Sequence, residues 1–230
     1  MKAFDEIWDS IYASGHINRY PWDAVVSFVF RHYPRHKAKS AVHILELGCG
    51  AANNLWFCAK EGFQVTGVDA SEQALLHARQ RFAQEQLNGQ FLQENFTALS
   101  IADHSIDLVF DRASLTCTPY WVIEQTIQEV YRILQPGGRF LFIPYADTHS
   151  SASSGIFDPA QRMVTNISAG TLVGVGQISF ISLNDIKTLF PASHWQFIQI
   201  ERTEHTNLLN PQHPVHAEYR VIVEKKGSPL

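Results

Sequence analysis

The chain has 230 residues, of which 45% are hydrophobic and 17% are charged, as is typical of a single globular domain with a sizeable core. Eighteen Lys and Arg against 22 Asp and Glu give a formal net charge of −4 without a basic run, which argues against a nucleic-acid partner. The acidic start and the lack of a membrane-length apolar stretch argue against a signal peptide and a membrane span. Three cysteines do not indicate a disulfide scaffold, so we expect a soluble cytoplasmic protein.

The spacing of apolar side chains in the first 40 residues predicts a helical lid. Residues 7–12 and 22–30 are rich in aromatic and aliphatic side chains at helical spacing, and Gly15 separates the two segments. Pro21 is suited to the first turn of the second helix, where its missing N–H costs nothing. We expect residues 1–40 to pack as two amphipathic helices against the rest of a single domain.

Residues 41–146 alternate between strand and helix patterns. The predicted strands cover residues 42–47, 63–69, 90–94, 106–110 and 139–145, and the predicted helices cover 53–61, 71–86 and 120–134. Ser71 is expected to cap the second of these helices, and residues 135–138 to form a turn. Strands alternating with helices predict βαβ units, and therefore an α/β fold with a parallel sheet covered on both faces.

The last third of the chain divides into a loop and a terminal unit. Residues 147–178 are rich in Ser, Gly and Thr, and a loop of that length is usually functional or mobile, although a solvated surface excursion is an equal alternative. We expect it to form a variable cap over a substrate. A helix at 183–190 and strands at 195–201 and 217–224 complete the domain within residues 179–230.

A glycine turn carries the strongest chemical signal. Gly48 and Gly50 end the first predicted strand, where glycines let the backbone turn tightly and approach a ligand. Asp69 ends the second strand 21 residues after Gly48, a suitable place for a carboxylate that binds a ribose. A dinucleotide fingerprint would have Gly or Ala where Asn53 stands, which disfavours an NAD-dependent dehydrogenase.

The chain resembles the class I S-adenosylmethionine-dependent methyltransferases over residues 42–145. The matching motifs, in the family's order, are ELGCG at 46–50, VTGVD at 65–69, ENF at 94–96, SIDLVFD at 105–111 and RILQPGGRFL at 132–141. The chain departs from the family at Ala52, where a third glycine is common, and at Asn95, where aspartate is common. The resemblance implies a Rossmann-like, doubly wound, seven-stranded sheet of order 3-2-1-4-5-7-6 whose last strand is antiparallel.

The resemblance also implies S-adenosylmethionine as the cofactor and assigns residues to it. Gly48, Cys49 and Gly50 would pass under the methionine part, in a site that includes Glu46, and Asp69 would hold the ribose. The residues implied to bracket the adenine are Ala70, Asn95 and Phe96, and Asp111 is implied near the methionine amine or the acceptor. Arg19, with Trp8 and Tyr12, is a further candidate for a carboxylate contact and the lid, although packing of the N-terminal helices would equally explain the two aromatics.

Methyl transfer requires a general base only when the acceptor is a hydroxyl or an ammonium. The candidates after the fourth and fifth strands are Asp111, Tyr145, Asp147 and His149. A structural Asp111–Arg112 ion pair and a solvated loop histidine are the alternatives for the first and the last. His205, His213 and His216 lie close in sequence, but Pro211 and Pro214 interrupt any helix there, so we expect surface histidines and no metal site.

The sequence therefore favours a methyltransferase acting on a small polar molecule. Residues 15–22 and 170–176 resemble segments of methyltransferases of bacterial surface-sugar biosynthesis, which makes a sugar-like acceptor one hypothesis. A non-catalytic module that binds S-adenosylmethionine remains an alternative, because methyl transfer needs no single indispensable side chain. We expect a monomer or a homodimer.

Overall fold

The computed structural model describes residues 7–15, 17–210 and 214–227, and a seven-stranded sheet forms its centre. The sheet strands are β1 (His43–Leu47), β2 (Gln64–Asp69), β3 (Gln90–Gln93), β4 (Ile106–Arg112), β5 (Leu134–Ile143), β8 (Trp195–His205) and β9 (His216–Lys225). Their order is β3-β2-β1-β4-β5-β9-β8. β1 to β5 run parallel, and β9 pairs antiparallel with β5 and β8. The predicted order and the antiparallel last strand are confirmed.

Helices cover both faces of this sheet. They are α1 (Ile7–Ala13), α2 (Asp23–His32), α3 (Asn53–Lys60), α4 (Glu72–Gln84), α5 (Tyr120–Ile133) and α6 (Leu183–Leu189). Side chains of α2, α3 and α4 pack on one face and those of α5 and α6 on the other. Along β5, Phe140 and Phe142 join the α5 side while Leu141 joins the opposite side, because successive strand residues point to opposite faces.

Local capping explains where several helices begin. Ser71 caps α4 as predicted, since its hydroxyl accepts a hydrogen bond from the backbone N–H of Ala74. Pro21 does not lie in the first turn of α2, so that prediction is wrong. The backbone N–H of Trp22 instead donates to Oδ1 of Asn54, and the helix begins only at Asp23.

The predicted turn at residues 135–138 is an irregularity within β5. Pairing with β4 passes from Ile106–Leu134 to Leu108–Arg139, so the intervening residues leave the ladder. Gly137 has φ +78°, the left-handed conformation that such a turn requires. The residues predicted to form a turn therefore do so. The strand begins earlier than predicted because Leu134 already pairs with Ile106 before the turn leaves the sheet.

Residues 147–178 are more ordered than a loop. They contain a 3-10 turn at Ser150–Ser153 and a hairpin of β6 (Ile156–Asp158) with β7 (Met163–Thr165). Val164, Ile167 and Leu172 form a small apolar cluster with Cys117, and Trp8 and Tyr145 pack against it. The alternative of a solvated excursion is wrong, because Val164, Ile167 and Leu172 are buried against distant parts of the chain, while Ile156 and Phe157 of the hairpin stay exposed.

Within the described ranges, no helix combines the length and the apolar character needed to cross a bilayer.

Candidate active site

A cleft of about 980 Å³ opens at the carboxyl ends of β1, β2 and β4. Parallel α/β sheets bind their ligands at this edge. The residues that line it are Trp8, Tyr12, Asn18, Trp22, Glu46, Gly48, Cys49, Asn53, Asn54, Asp69, Ala70, Gln93, Glu94, Asn95, Phe96, Arg112, Ala113, Ser114, Cys117, Thr118, Tyr145, Thr171, Leu172, Val175 and His216. The two ends of the cleft differ in chemistry. The first end lies at the glycine turn and Asp69, and the second lies at Arg112 and His216.

The glycine turn forms the floor of the first end. The backbone N–H groups of Gly48 and Cys49 donate to the carbonyl oxygen of Val68 at 2.8 and 3.1 Å, which ties the turn to β2. Gly48 has φ +64°, and a Cβ there would lie 2.1 Å from Cβ of Ser114. Only glycine satisfies both the conformation and the close approach.

Asp69 presents both carboxylate oxygens at the end of β2. The backbone N–H of Gly50 donates to Oδ2 at 2.8 Å, and the backbone N–H of Ser71 donates to Oδ1 at 2.9 Å. Each oxygen keeps further acceptor capacity, which suits a pair of neighbouring hydroxyl groups. Burial raises the pKa of Asp69 to about 6, so the carboxylate is still ionised at neutral pH.

Glu46 holds an unsatisfied acceptor near the same floor. Nδ2 of Asn54 donates to its Oε1 at 2.7 Å, while Oε2 is buried without a hydrogen-bond partner among the described residues. Burial raises the pKa of Glu46, and the neighbouring carboxylates of Asp111 and Asp69 raise it further. An orphaned buried acceptor is costly, and a cationic donor in the cleft would satisfy it.

The residues predicted to bracket an adenine lie together on the cleft wall. Ala70, Asn95 and Phe96 all line it. Oδ1 of Asn95 accepts a hydrogen bond from the backbone N–H of Thr97 at 3.2 Å, which orients its side-chain amide.

The N-terminal segment covers this end of the cleft. Nδ2 of Asn53 donates to the carbonyl oxygen of Tyr20 at 2.8 Å. Tyr12 lies over the glycine turn, with its hydroxyl oxygen 2.2 Å from where a Cβ on Gly50 would be. Arg19 is exposed and lies outside the lining, which its neighbour Asn18 joins instead.

Asp111 lies beneath the cleft rather than in its lining. It is fully buried, and its Oδ1 accepts hydrogen bonds from the hydroxyl and backbone N–H of Ser114 and from the N–H of Leu115. This arrangement shapes the turn after β4 and places Ser114 against Gly48. Burial raises the pKa of Asp111 to about 6. The Asp111–Arg112 ion pair is not found among the described residues, since Nη2 of Arg112 lies 3.4 Å from Oε2 of Glu218.

The second end of the cleft carries a polar cluster. Its members are Arg112, Tyr145, His149, Thr171, His216 and Glu218. Nδ1 of His216 lies 3.0 Å from Oγ1 of Thr171 and 3.2 Å from Nε2 of His149. Nε2 of His216 lies 3.7 Å from Oε2 of Glu218. Arg112, Tyr145, Thr171 and His216 line the cleft, and the buried His149 and Glu218 support them from behind.

The protonation states within the polar cluster differ from those of exposed groups. Burial lowers the pKa of His149 to about 4, with a contribution from His216, so His149 is neutral at pH 7. It is 2% exposed and is not a solvated loop histidine. Burial raises the pKa of Tyr145 to about 12, so its hydroxyl keeps its proton. Against the effect of burial, His216, Arg112 and Arg220 hold the pKa of Glu218 below its usual range.

Part of the chain matches a known protein family. Residues 44–138 match the family described as a methyltransferase domain. Over 141 residues the chain is 33% identical to a protein of Geobacillus sp. (strain WCH70) named as a methyltransferase, covering 59% of this chain and 53% of that relative. The chain thus spans about half the length of that relative.

Solved structures share the fold. A S-adenosylmethionine-dependent methyltransferase from Methanosarcina mazei has a TM-score of 0.67 at 19% identity, over 84% of this chain and 97% of its own. Burkholderia thailandensis 1,6-didemethyltoxoflavin-N1-methyltransferase, solved with S-adenosylhomocysteine, has a TM-score of 0.67 at 14% identity, over 95% and 85%. The matched residues 44–138 are thus similar to a methyltransferase domain, and the fold is the one that these solved methyltransferases share.

The cleft residues of this chain fit S-adenosylmethionine as a cofactor. The Asp69 carboxylate has acceptor capacity for a ribose diol. The orphaned Oε2 of Glu46 matches the α-ammonium of the methionine part. No three His, Cys, Asp or Glu residues of the described part of the chain are grouped as metal ligands, and His213 lies outside that part.

Sequence reasoning missed two parts of this site. His216 was expected on the surface, but it lines the cleft at 24% side-chain exposure, so that expectation is wrong. The signal was the alternation in β9, where the polar His216 and Glu218 alternate with the apolar Ala217 and Tyr219. β9 is antiparallel, so it begins at the edge where β5 ends. The role of Asn54, which donates a hydrogen bond to Glu46 and accepts one from the backbone N–H of Trp22, could not be predicted from a single sequence.

Proposed function

We propose that this protein transfers a methyl group from S-adenosylmethionine to a small polar metabolite. The observation that carries the proposal is the pair of acceptor sites at the first end of the cleft. Asp69 offers two oxygens at the end of β2, and Glu46 offers an orphaned oxygen at the end of β1. One ligand that carries both a ribose and an ammonium would satisfy all of these acceptors.

The proposed roles of the cofactor residues follow from their positions. Asp69 accepts hydrogen bonds from the ribose hydroxyls, and Oε2 of Glu46 accepts one from the ammonium. The backbone at Gly48, Cys49 and Gly50 passes under the methionine part, while Ala70, Asn95 and Phe96 contact the adenine. When bound, the cofactor supplies an activated methyl group on a sulfonium. The protein contributes proximity, alignment and exclusion of water, the last through Trp8 and Tyr12 of α1.

The acceptor is proposed to bind at the second end. Arg112, Thr171 and His216 provide hydrogen-bonding groups there, and Trp22 lies 4.4 Å from the Arg112 guanidinium. A lining that combines such groups with aromatic rings suits a small polar molecule, of which a sugar-like compound is one example. The cytoplasmic location and the monomeric or homodimeric state stay predictions from the sequence.

Calorimetric titration with S-adenosylmethionine, S-adenosylhomocysteine and NAD⁺ tests the proposal. We expect micromolar binding of the two sulfur nucleosides and no binding of NAD⁺. Binding of NAD⁺ alone would contradict the proposal and favour a dehydrogenase. If the sulfur nucleosides bind but labelled methyl groups reach no compound of a metabolite extract, the protein is a cofactor-binding module and not an enzyme.

A further inference from the structure

We propose that His216 accepts the proton of the methyl acceptor, that Glu218 and His149 position its ring, and that the acceptor atom is an alcohol hydroxyl. This inference rests on the proposed methyl transfer and deepens it. It assigns the polar cluster at the second end of the cleft, which the cofactor residues do not use.

The hydrogen bonds determine where the ring protons lie. The backbone N–H of Ser151 donates to Nδ1 of His149 at 3.0 Å, so the ring proton of neutral His149 is on Nε2. That Nε2 faces Oγ1 of Thr171 at 3.1 Å and Nδ1 of His216 at 3.2 Å. These contacts are all satisfied when Nε2–H of His149 donates to Oγ1 of Thr171 and the Thr171 hydroxyl donates to Nδ1 of His216, whose own ring proton then lies on Nε2, towards Glu218.

Glu218 is arranged to stabilise a charged His216. It is 4% exposed, and its Oε2 accepts no hydrogen bond of good geometry from the described residues. Arg112 lies 3.4 Å from the same oxygen, and Nε of Arg220 lies 3.4 Å from Oε1. A buried carboxylate beside an imidazole orients the ring and compensates the positive charge that forms when the ring takes a proton.

Thr171 marks the place of the acceptor hydroxyl. Its side-chain hydroxyl lies 3.0 Å from Nδ1 of His216 and lines the cleft. Thr171 is itself exposed, and it stands between Gly170 and the buried Leu172. An acceptor hydroxyl in the cleft can take the place of the Thr171 hydroxyl and donate to the same nitrogen.

The acceptor oxygen bonds to the methyl carbon, and the carbon–sulfur bond breaks with its electron pair left on sulfur. The hydroxyl proton passes to Nδ1 of His216, whose positive charge then lies beside Glu218. A carboxylate acceptor has no proton to release at neutral pH and would not use this group, whereas an alcohol needs a base as it attacks.

Other titratable groups surround His216 on several elements. They are Tyr145 and His149 after β5, at ring distances of 5.7 and 4.9 Å, His205 of β8 at 6.1 Å, Glu218 of β9, and Arg112 and Arg220 beyond Glu218. Because burial lowers the pKa of His149 to about 4, this ring stays neutral and does not oppose a charge on His216.

Nitrogen-15 NMR of the histidine rings tests the geometry without any acceptor. The protein is saturated with S-adenosylhomocysteine, and His216→Gln and His149→Gln variants assign the signals. We expect the ring proton of neutral His149 on Nε2 and that of neutral His216 also on Nε2. A proton on Nδ1 of neutral His216 would overturn the proposal.

Methyl transfer to defined probes tests the chemistry. The probes are benzyl alcohol, glycerol and methyl glucoside, with benzylamine and benzoate as counterparts, and labelled S-adenosylmethionine supplies the methyl group. We expect transfer to at least one alcohol, and a loss of about 100-fold or more in kcat for His216→Gln. Glu218→Gln should lower kcat more than it raises KM and should shift the pH–rate profile.

The control is His205→Gln, which removes a neighbouring histidine outside the cleft lining and should keep the rate. Transfer only to benzoate or benzylamine, transfer to none of the alcohols, or an unchanged rate in His216→Gln would each overturn the proposal. Calorimetry with S-adenosylhomocysteine separates the two levels. If the wild-type protein does not bind S-adenosylhomocysteine, the proposed function itself is contradicted. If it binds S-adenosylhomocysteine but methylates no alcohol, only this inference is contradicted.

Discussion

The two ends of the cleft are built in opposite ways. The first end, where we propose that the cofactor binds, takes its floor and its ribose acceptor from one short stretch, from Glu46 at the end of β1 to Asp69 at the end of β2, and adds Asn95 and Phe96 on its wall. The acceptor end combines Arg112, His149, Thr171 and His216, which come from four separate segments. Its contacts join residues as distant in the sequence as Arg112 and Glu218. A local site can be recognised in sequence, whereas an assembled site depends on the whole fold.

The two ends also differ in charge. Burial raises the pKa of the Glu46 and Asp69 carboxyls at the first end of the cleft. Their oxygens can accept hydrogen bonds from a ligand that carries a cationic group and hydroxyl groups. At the acceptor end, the neighbouring His216, Arg112 and Arg220 outweigh burial and lower the pKa of Glu218. These charges suit the roles that we propose, a cationic ligand at the first end and a positive charge formed on His216 at the second.

The largest expected effect is that of Gly48→Ala on folding. The added Cβ would lie 2.1 Å from Cβ of Ser114, and the left-handed φ adds strain, so we expect a loss of about 3–5 kcal/mol in the free energy of unfolding. Urea denaturation measures it. Gly62→Ala is the control, because Gly62 has φ +89° with no heavy atom within 4 Å of its Cβ position, and should lose only about 1–2 kcal/mol. Equal losses would show that the close approach to Ser114 is unimportant.

Asp69→Asn should weaken S-adenosylhomocysteine binding by about 1.5–3 kcal/mol, which is about 10- to 150-fold in Kd. An amide offers one acceptor oxygen in place of two, and its NH2 group opposes one of the two backbone N–H groups, that of Gly50 or that of Ser71. Calorimetry measures the change. Asp103→Asn, at the opposite edge of the sheet before β4, serves as the control. An unchanged affinity in Asp69→Asn would remove this residue from the ribose site.

His149 should make stability depend on pH at the acceptor end. Its folded pKa of about 4 lies below the ordinary value of about 6.5, so the unfolded chain takes up a proton first as the pH falls. The stabilisation is complete above pH 6.5 and is lost as the pH falls towards 4, by about 2 kcal/mol at pH 4.5. Urea denaturation at pH 7 and 4.5 should show this loss in the wild-type protein relative to His149→Asn.

That comparison with the variant is needed because Asp69 and Asp111 act in the opposite direction. Burial raises the pKa of both carboxyls to about 6, so the folded state binds protons more tightly than the unfolded chain as the pH falls. The difference between the two proteins isolates His149. A pH-independent difference would contradict a neutral, buried His149.

The smallest expected effect is the pH dependence of cofactor binding. With its pKa at about 6, Asp69 becomes protonated below that pH and offers fewer acceptor sites to the ribose. We expect Kd for S-adenosylhomocysteine to rise by at most about tenfold per pH unit below pH 6, and to be nearly constant above it. Titrations at pH 5, 6 and 7 measure it. The Asp69→Asn variant should lose most of this pH dependence. An equal dependence in both proteins would show that a group other than Asp69 takes up the proton that weakens binding.

Much of the fold could be predicted because the informative patterns are local. The motifs from Glu46 to Asp69 and the helical periodicity of α5 depend on residues within a turn or a strand of each other. Ser71 shows the same rule, since its cap involves only Ala74. Errors occurred where distant partners decided the outcome. The start of α2 follows from Asn54, and the order in residues 147–178 follows from contacts with Trp8 and Cys117.

The sequence by itself determined the strands, the glycine turn and the place of Asp69, because backbone conformation and strand alternation arise from neighbouring residues. The strand order was predicted only through the family resemblance. Only the tertiary structure decided that Asp111 lies beneath the cleft and that Arg19 lies outside it. It alone also brought His216 to His149 and Glu218, because an antiparallel last strand returns its first residues to the edge where the parallel strands end.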